Sequence, residues 1–360
     1  MSNKYIEDEL ASQRTLKKRH LAPVIVLLML APLIAEVLLG DVAFNANAIV
    51  FGLLLNMLYY GTGAIIIREI VRRRGLSWGW IPVLAFAYGL IEEGLALHSL
   101  FNPNFPGIGS LGFYGRMFGV DWVWAFFVLG LHTVWSISTP ILVTELIFPQ
   151  YRRERWLGNV GFVISAVVFV IGMSLITLIY ATWVTPNFTP APILLICTAI
   201  VVIAILLLTL FIPVKTSTMP TQQRQRNTPH AWLVGIITFL LGCGFLMEHD
   251  IVHTLIPAIL AFLWYVALTT SAVILIRKWS APGHSWNDMH TMALVFGTLL
   301  NYCILGFFVS HRDLVDQLFH GALSVITIVL LSILTIKVQA RVTHAAELTI
   351  VPSPDAASIV

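Results

Sequence analysis

The stretch PAPILLICTAIVVIAILLLTLFIP, residues 190–213, contains no charged side chain and is long enough to cross a lipid bilayer. A helix rises about 1.5 Å per residue, so roughly 20 apolar residues span a hydrocarbon core about 30 Å thick. Hydrophobic residues make up 58% of the 360 residues and charged residues only 11%, whereas a soluble domain carries roughly 25% charged residues. The composition therefore predicts an all-α, polytopic membrane protein.

Runs of similar length recur along the chain and predict a transmembrane helix bundle of about ten spans. The first run follows the basic segment RTLKKRH, but no small-residue cleavage site of a secretory signal comes after it, so we interpret it as an anchor. The predicted spans lie approximately at 21–39, 47–68, 79–98, 121–147, 157–183, 190–213, 231–247, 252–275, 289–310 and 319–337.

Lys and Arg alternate between rich and poor connecting segments. Nineteen of the 21 basic residues fall in the two terminal segments and in every second loop, and the other five loops contain only Arg116 and Arg312. Cytoplasmic loops of membrane proteins are enriched in Lys and Arg. We therefore predict that both termini are cytoplasmic. Because the basic residues lie between apolar runs and form no patch on one face, the sequence gives no sign of a nucleic-acid partner.

The polar segment VKTSTMPTQQRQRNTPH, residues 214–230, lacks apolar periodicity and predicts a cytoplasmic linker. It would divide a six-span membrane part, 21–213, from a four-span part, 231–337. A basic segment, 1–20, and a tail, 338–360, would be the cytoplasmic flanks, and we expect the tail to be partly disordered. The three cysteines lie singly within apolar runs, without the spacing of a metal site: Cys197, Cys243 and Cys303.

The predicted outer loop 99–120, SLFNPNFPGIGSLGFYGRMFGV, is rich in Gly, Pro and aromatic residues and nearly uncharged. Its NP and FP pairs disfavour a continuous helix. Two interpretations remain open. The loop forms a lid over a cavity, because irregular backbone at membrane depth is tolerated only against protein or water. Alternatively, its aromatic side chains belong to an interfacial belt.

Several polar side chains inside the spans are expected at a similar depth. Counting about 1.5 Å per residue from the outer edge places Glu92 roughly 9 Å deep and His132 roughly 16 Å deep. Asn56 and Asn301 come out at about 13 Å by the same counting, with Tyr60 in the same layer. The sequence therefore predicts a polar layer in the outer half of the membrane.

The adjacent carboxylates Glu92 and Glu93, in AYGLIEEGL, are the sharpest functional signal. An acidic residue near the centre of a span costs about 2.5–3.5 kcal/mol on insertion, and such residues usually face a cavity or a partner. Successive side chains on an α-helix point about 100° apart. We therefore expect one carboxylate to line a cavity and the other to pair with a neighbouring span. The alternative is a buried polar lock that only fixes the helices.

Histidines provide further candidates. His132 lies at the depth of the two glutamates, although a satisfied core histidine is an equally simple interpretation. His249 and His253 are four residues apart, which is compatible with a metal site on one helical face. They lack the glutamate of the HExxH motif and straddle a loop, so a solvated pair is favoured. The sequence predicts no cofactor and leaves a metal open.

Three segments, YYGTGAIIIREI, AFAYGLIEEGL and SLFNPNF, resemble a group of bacterial polytopic membrane proteins without an assigned activity. More distantly, the chain resembles the CPBP family of CAAX-type intramembrane glutamate proteases, which carry EExxxR, FxxxH and HxxxN-like motifs. Glu92 and Glu93 match the paired glutamates, His132 the second-motif histidine, and His249 or His253 the third. The chain departs from these motifs at Leu97, Val128 and His253, which stand where that family has Arg, Phe and Asn.

That resemblance implies a hydrolase in the bacterial inner membrane, in which a glutamate activates water and histidines or Asn301 stabilise the oxyanion. The candidate catalytic residues are Glu92, Glu93, His132, His253 and Asn301. The expected site faces outward, unlike the site of prenyl-protein processing. The partners would be the lipid bilayer and a membrane-embedded peptide. Two alternatives stay open: a proton-coupled transporter of a small solute, which would use the same carboxylates as a relay, and a non-catalytic membrane scaffold.

Overall fold

The computed structural model describes residues 21–42, 45, 48–212, 228–250, 252–309 and 313–350, without the side chains of 48, 248–250, 252, 309 and 348–350. Most of the predicted linker therefore lies outside the described residues, as do the segment 1–20 and the end of the tail. Within the described ranges the chain is almost entirely helical. The only strands there are β1, Arg116–Met117, and β2, Val120–Asp121, which pair as a short antiparallel hairpin.

Ten helices follow one another in the described part of the chain, at the positions where the apolar runs predict them. They are α1 Leu21–Leu38, α2 Ile49–Arg73, α3 Trp80–Gly89 continued by Leu90–Ala96, α4 Trp122–Ile147, α5 Asn159–Val184, α6 Pro192–Phe211, α7 Ala231–Asp250, α8 Ala258–Trp279, α9 Asp288–Val309 and α10 Leu314–Ile350.

Eight of these helices are long and apolar enough to cross a membrane, and the apolar part of α7, Ala231–Met247, is shorter. This confirms an all-α membrane bundle. The number of helices that are long and apolar enough to cross a membrane is below the expected ten for two local reasons. α3 stops at Ala96, because His98 adopts a left-handed backbone conformation with φ of 61° that an α-helix does not accommodate. α7 reaches Asp250, but its apolar part ends at Met247.

α10 does not end where the hydropathy pattern predicts. The apolar run stops near residue 337, yet the helix continues to Ile350. The extra residues, VQARVTHAAELTI, include several strong helix formers, Ala, Gln, Arg, Glu and Leu, so the helix persists after its apolar surface ends. The seventh and eighth spans are two separate helices, with a 3₁₀ turn at Val252–Thr254 between them.

α4 is the central helix of the bundle. In its apolar part 78% of the residues are buried, compared with 17% in α5 and α6 and 11% in α8. α3 packs against it along the turn His132–Ser138, and α8 and α9 also contact it. Helices from both sides of the predicted linker therefore meet on α4, and the mostly exposed apolar helices α5, α6 and α8 lie around this core.

Wide π-helical turns interrupt several helices near one another. They occupy Leu33–Leu38 in α1, Met57–Gly61 in α2, Leu90–Ala96 in α3 and His132–Ser138 in α4. π-Helical turns are rare and are found frequently at functional sites. These four turns contain Glu36, Tyr60, the Glu92–Glu93 pair and His132, so the irregular backbone coincides with the polar layer.

Candidate functional site

Glu92 and Glu93 of α3 both contact one imidazole, that of His132 on α4. His132 Nε2 lies 2.7 Å from Glu93 Oε1, and His132 Nδ1 lies 3.4 Å from Glu92 Oε2. The three side chains are almost completely enclosed, with exposed fractions of 1% for Glu92, 5% for Glu93 and 3% for His132. The sequence predicted a similar depth for the glutamates and His132, and the structure in addition brings the three side chains into contact.

The arrangement of the two glutamates differs from the expected one. We expected the carboxylates to diverge by about 100°, as on a regular α-helix. They lie instead in the π-helical turn Leu90–Ala96, whose wider ring brings successive side chains closer in direction. His132 begins a π-helical turn of its own. One imidazole can therefore receive both carboxylates, one at each ring nitrogen.

Glu93 is fixed by a chain of hydrogen bonds from the start of the outer loop. Ser99 Oγ donates to Glu93 Oε2 in a short hydrogen bond, and Trp124 Nε1 donates to Ser99 Oγ at 3.1 Å. An indole N–H can only donate, so the Ser99 hydroxyl proton is directed to Glu93. Sequence reasoning missed both Ser99 and Trp124. The available signal was Ser99 in SLFNP, directly after the span that carries the glutamates.

Aromatic rings and a third acid surround the other side of the cluster. The Tyr60 ring stacks on His132 at a centroid distance of 5.8 Å, and the Tyr88 ring meets it edge-on at 6.1 Å. The hydroxyls of both tyrosines face the Glu92 carboxyl, and Glu36 of α1 interacts electrostatically with Glu92 and His132. Four helices thus contribute ionisable or phenolic groups to one enclosed region.

Gly89 sets the distance between α3 and α4 at this level. A Cβ atom added to Gly89 would lie 3.1 Å from Leu129 Cδ2 and 3.3 Å from His132 Cβ. Only a residue without a side chain permits this approach without movement of the neighbours, which is the role of small residues at helix interfaces in membranes. The glycine one turn before the glutamates is therefore part of the positioning of His132.

Some polar atoms of the cluster lack a hydrogen-bond partner among the described residues. Glu92 Oε2, His132 Nδ1 and the Tyr88 hydroxyl are buried and make no hydrogen bond of acceptable geometry. Glu92, Glu93 and His132 each offer one ligand atom, and these atoms lie within 4.8 Å of one another. The described part of the chain has no other group of three such residues in this arrangement.

The remaining predicted site residues lie in other environments. Asn301 is fully buried, where its Nδ2 donates to the Gly297 carbonyl and its Oδ1 accepts from Cys243. It thus joins α7 to α9, and its described hydrogen bonds include none to the glutamates. His253 is half-buried beside the outer loop and contacts Ser110 and Tyr114.

The other members of the predicted layer are distributed similarly. Asn56 accepts a hydrogen bond from the Tyr59 hydroxyl at 2.6 Å and has no described bond to the cluster. The side chain of His249 lies outside the described residues. The polar layer therefore divides into the Glu92–Glu93–His132 cluster with Tyr60, and separate polar contacts between neighbouring helices.

Some aromatic residues of the outer loop pack onto the bundle, and others are exposed. Phe101 and Phe105 are buried, and Phe105 stacks on Tyr180 of α5. Phe113 and Phe118 are 65% and 83% exposed. The first half of the loop thus packs on the bundle and its second half presents aromatic side chains outward, while the lid and the interfacial belt both stay predictions.

Asp121 ties the end of the outer loop to its beginning. Its backbone N–H donates to the Leu100 carbonyl, and Arg116 contacts both its carboxylate, at 2.5 Å, and the Phe101 carbonyl. Burial raises the pKa of Asp121 to about 6, although Arg116 opposes this shift. Burial also lowers the pKa of His98 at the other end of the loop. The loop that supplies Ser99 is thus closed by the ion pair of Arg116 with Asp121, whose carboxyl has a pKa of about 6.

A groove between α3 and α5 reaches the surface of the bundle beside the cluster. Its volume is about 520 Å³, and it is lined mainly by apolar side chains, including Ile91, Leu95, Phe169 and Met173. Phe169 packs on Tyr88 at a centroid distance of 6.0 Å. Tyr88 therefore stands between the groove and the Glu92–His132 contact.

A second polar cluster, which sequence reasoning missed, lies at the other end of α2 and α4. Arg68 is fully buried and contacts Glu69, Glu145 and the ring of Trp156. Arg72 binds both oxygens of Glu145 at 2.7 Å. Arg68 also binds backbone carbonyls of the following loop, at residues 151, 152 and 154. All its carboxylates are paired, so this network fixes the fold at that end.

Comparison with known proteins gives a family but no described activity. Residues 25–353 match the sequence profile of an uncharacterized membrane protein family. No curated protein and no solved structure matches the chain significantly. The match covers the glutamate pair, His132 and the loop between them.

Proposed function

The chain belongs to that uncharacterized membrane protein family, and we propose that it is an intramembrane hydrolase whose centre is the Glu92–Glu93–His132 cluster. The observation that carries this proposal is the contact of two buried carboxylates with one imidazole, at 2.7 and 3.4 Å, inside π-helical turns. Ionisable groups enclosed in a membrane bundle are costly, and they mark function by default.

The two carboxylates have different environments, which suggests different roles. Glu93 uses both oxygens in hydrogen bonds, to His132 and to Ser99, so it would hold the imidazole in position. Glu92 keeps one oxygen without a hydrogen bond. That oxygen is available to take a proton from a water molecule, which is general-base catalysis. His132 would stabilise the negative charge that develops on the substrate.

The groove between α3 and α5 supports a membrane-embedded substrate. An apolar peptide segment lying in lipid could enter it laterally, and a shift of the Tyr88 and Phe169 rings would open the way to Glu92. Such gating by a few side chains is common in enzymes that shield their chemistry from water. A CPBP-like intramembrane protease would need both the enclosed glutamates and this side access.

The proposal is tested by reconstituting the purified protein into vesicles with single-span peptides and identifying cleavage products by mass spectrometry. We expect cleavage within or next to the apolar segment of some of these peptides. Loss of a general base reduces rates by about 10²–10⁴-fold, so Glu92→Gln should nearly abolish cleavage. Glu154→Gln, an exposed position away from the cluster, is the control. Equal cleavage by Glu92→Gln and the wild type would refute the catalytic assignment.

A proton-coupled permease is the second candidate, favoured by one observation. Glu36 of α1 interacts with Glu92 and His132, and its partner Tyr60 lies beside them, so ionisable groups extend from α1 to α4. Chains of this kind serve as proton relays in transporters. Solute-driven acidification of the lumen of dye-loaded vesicles, lost in Glu36→Gln, would support transport. If neither cleavage nor proton movement depends on these residues, the cluster acts as a scaffold.

A further inference from the structure

Two buried polar atoms without a hydrogen bond of acceptable geometry face each other at 3.4 Å beside the imidazole ring: Glu92 Oε2 and His132 Nδ1. Their side chains are only 1% and 3% exposed. Buried polar groups in native proteins nearly always have a partner, so a set of orphaned atoms at one point indicates a missing ligand. We propose that Glu92 and His132 bind one divalent cation, zinc, with Glu93 as the residue that orients the histidine.

The direction of the hydrogen bonds leaves a lone pair on His132 facing Glu92. Trp124 donates to Ser99, Ser99 donates to Glu93, and Glu93 is therefore an acceptor that receives the Nε2 proton of His132. In the neutral imidazole Nδ1 is then an acceptor, opposite another acceptor, Glu92 Oε2. The reverse tautomer would aim an N–H at Glu92, but that contact lacks the geometry of a hydrogen bond.

The distance between the two acceptors matches a tetrahedral cation. Zinc binds nitrogen and oxygen ligands at about 2.0–2.2 Å in tetrahedral sites, which places two ligand atoms about 3.4 Å apart. His132 Nδ1 and Glu92 Oε2 are 3.4 Å apart. Adjacent ligands of an octahedral ion with bonds of about 2.1 Å would be only about 3.0 Å apart. The separation therefore favours zinc over magnesium.

Charge balance favours the same occupant. Two ionised carboxylates carry two negative charges in an enclosed part of the bundle, where unpaired charges are strongly unfavourable, and protonation of His132 would compensate only one of them. A divalent cation between Glu92 and His132 neutralises both charges. Arg116 and Arg68 pair elsewhere, Arg116 with Asp121 and Arg68 with Glu145, so they do not supply this compensation.

Glu93 and Ser99 have the arrangement of outer partners of a metal-binding histidine. Such histidines nearly always donate their second ring N–H to a carboxylate, a carbonyl or water, which fixes the tautomer and makes the ligand more basic. Glu93 accepts that N–H at 2.7 Å. The remaining positions of the cation would hold water, and the Tyr88 hydroxyl would bond to one such molecule. Catalytic zinc sites have three protein ligands and keep the fourth position for water, so this site, with two protein ligands, would hold one water more.

This inference rests on the proposed function only through the shared cluster. Bound zinc lowers the pKa of its water to near neutrality, so the cation would take over the activation of water, and Glu92 would hold the ion instead of acting as the base. Removal of the metal distinguishes activation of water by the ion from activation of water by Glu92, because only the first requires the metal.

The test measures zinc in the full-length protein purified in detergent, by equilibrium dialysis against zinc and elemental analysis. We expect one zinc per chain, at least tenfold weaker binding in Glu92→Gln and in His132→Ala, and an intermediate loss in Glu93→Gln, whose effect passes through the histidine. His344→Ala, an exposed histidine on α10, is the matched control and should bind as the wild type does. Unfolding midpoints of all variants verify that they are folded.

Cobalt(II) in place of zinc gives a second measurement. A tetrahedral site should give strong visible absorption that disappears in His132→Ala. No zinc in the wild type, or equal binding by the wild type, Glu92→Gln and His132→Ala, would overturn the metal site. Zinc binding without peptide cleavage would refute the hydrolase and leave the metal site, whereas cleavage that survives complete removal of zinc would refute the activation of water by the ion and leave Glu92 as the base.

Discussion

At the scale of single residues, the position of Ser99 is as informative as that of the glutamates. It relays a hydrogen bond from Trp124 on α4 to Glu93 on α3, and its own backbone belongs to the outer loop. Three elements therefore depend on one hydroxyl. A buried carboxylate that accepts two such bonds is held in one orientation, and so is the imidazole behind it.

Ser99→Ala should destabilise the protein by about 1–3 kcal/mol, because Glu93 Oε2 and Trp124 Nε1 both lose a partner in a buried place. The free energy of unfolding in detergent measures this cost. Ser138→Ala is the matched control: Ser138 is also buried on α4, but its hydroxyl has no described hydrogen-bond partner. The control removes a hydroxyl without a described partner, so it should not destabilise the protein through a lost hydrogen bond. Equal effects of the two substitutions would contradict the assigned relay.

Asp121 gives a prediction with a definite dependence on pH. Its pKa in the folded protein is about 6, above the ordinary aspartate value of 3.8. The folded state therefore binds more protons than the unfolded state between these values, and the contribution of Asp121 to stability falls as pH rises from about 4 to about 6. Asp121→Asn removes this titration. The stability of Asp121→Asn relative to the wild type should thus increase over that interval and stay constant above about pH 7.

Unfolding of both proteins in detergent between pH 4 and 8 tests this sign. The comparison cancels the titration of every other group, because only position 121 differs. A difference that decreases with rising pH would mean that the ion pair with Arg116, and not the cost of burial, dominates at this position.

At the scale of elements, hydropathy placed the ends of the ten helices to within about six residues, except the end of α10, which continues to Ile350 instead of stopping near residue 337. The similar depth of Glu92, Glu93 and His132 could be expected from the sequence, but their contact could not. The π-helical turns could not, since they arise from packing between helices and have no hydropathy signal. For the same reason the depth argument grouped Asn301 with the glutamates, although depth says nothing about which face of the bundle a side chain occupies.

The ion-pair network of α2 and α4 shows a further limit of the charge-counting argument. Arg68 and Arg72 were used only as markers of the cytoplasmic side, yet both bind Glu145 inside the bundle. Glu145→Ala should destabilise the protein by about 3–5 kcal/mol, because it leaves two buried or half-buried guanidinium groups without a partner. Denaturant unfolding in detergent would measure the loss.

The control for this prediction is the more exposed pair of Arg152 with Asp288. Arg152 is 42% exposed, and Arg152→Ala should cost only about 0–1 kcal/mol, as is usual for surface ion pairs. A cost for Glu145→Ala no greater than that of Arg152→Ala would show that the buried arginines find other partners, such as the carbonyls of residues 151–154.

At the scale of the whole molecule, the orientation of the bundle decides which compartment the cluster serves. The alternation of Lys and Arg predicts cytoplasmic termini, which puts the loop 99–121 and the enclosed glutamates on the outer side. A substrate or solute would then reach the cluster from the outer half of the membrane. Reversal of the bundle would instead open it toward the cytoplasm.

Two single cysteines at opposite ends of α4 test this orientation. Phe118 is 83% exposed in the outer loop, and Arg155 is exposed in the loop after α4. In intact cells a membrane-impermeant maleimide should label Phe118→Cys and should label Arg155→Cys only after permeabilisation. The wild type is the control, because its own cysteines lie within apolar helices, away from the water that carries an impermeant reagent. Since one membrane crossing separates the two positions, labelling of Arg155→Cys alone in intact cells would place the glutamates in the cytoplasmic half and would exclude an externally facing hydrolase.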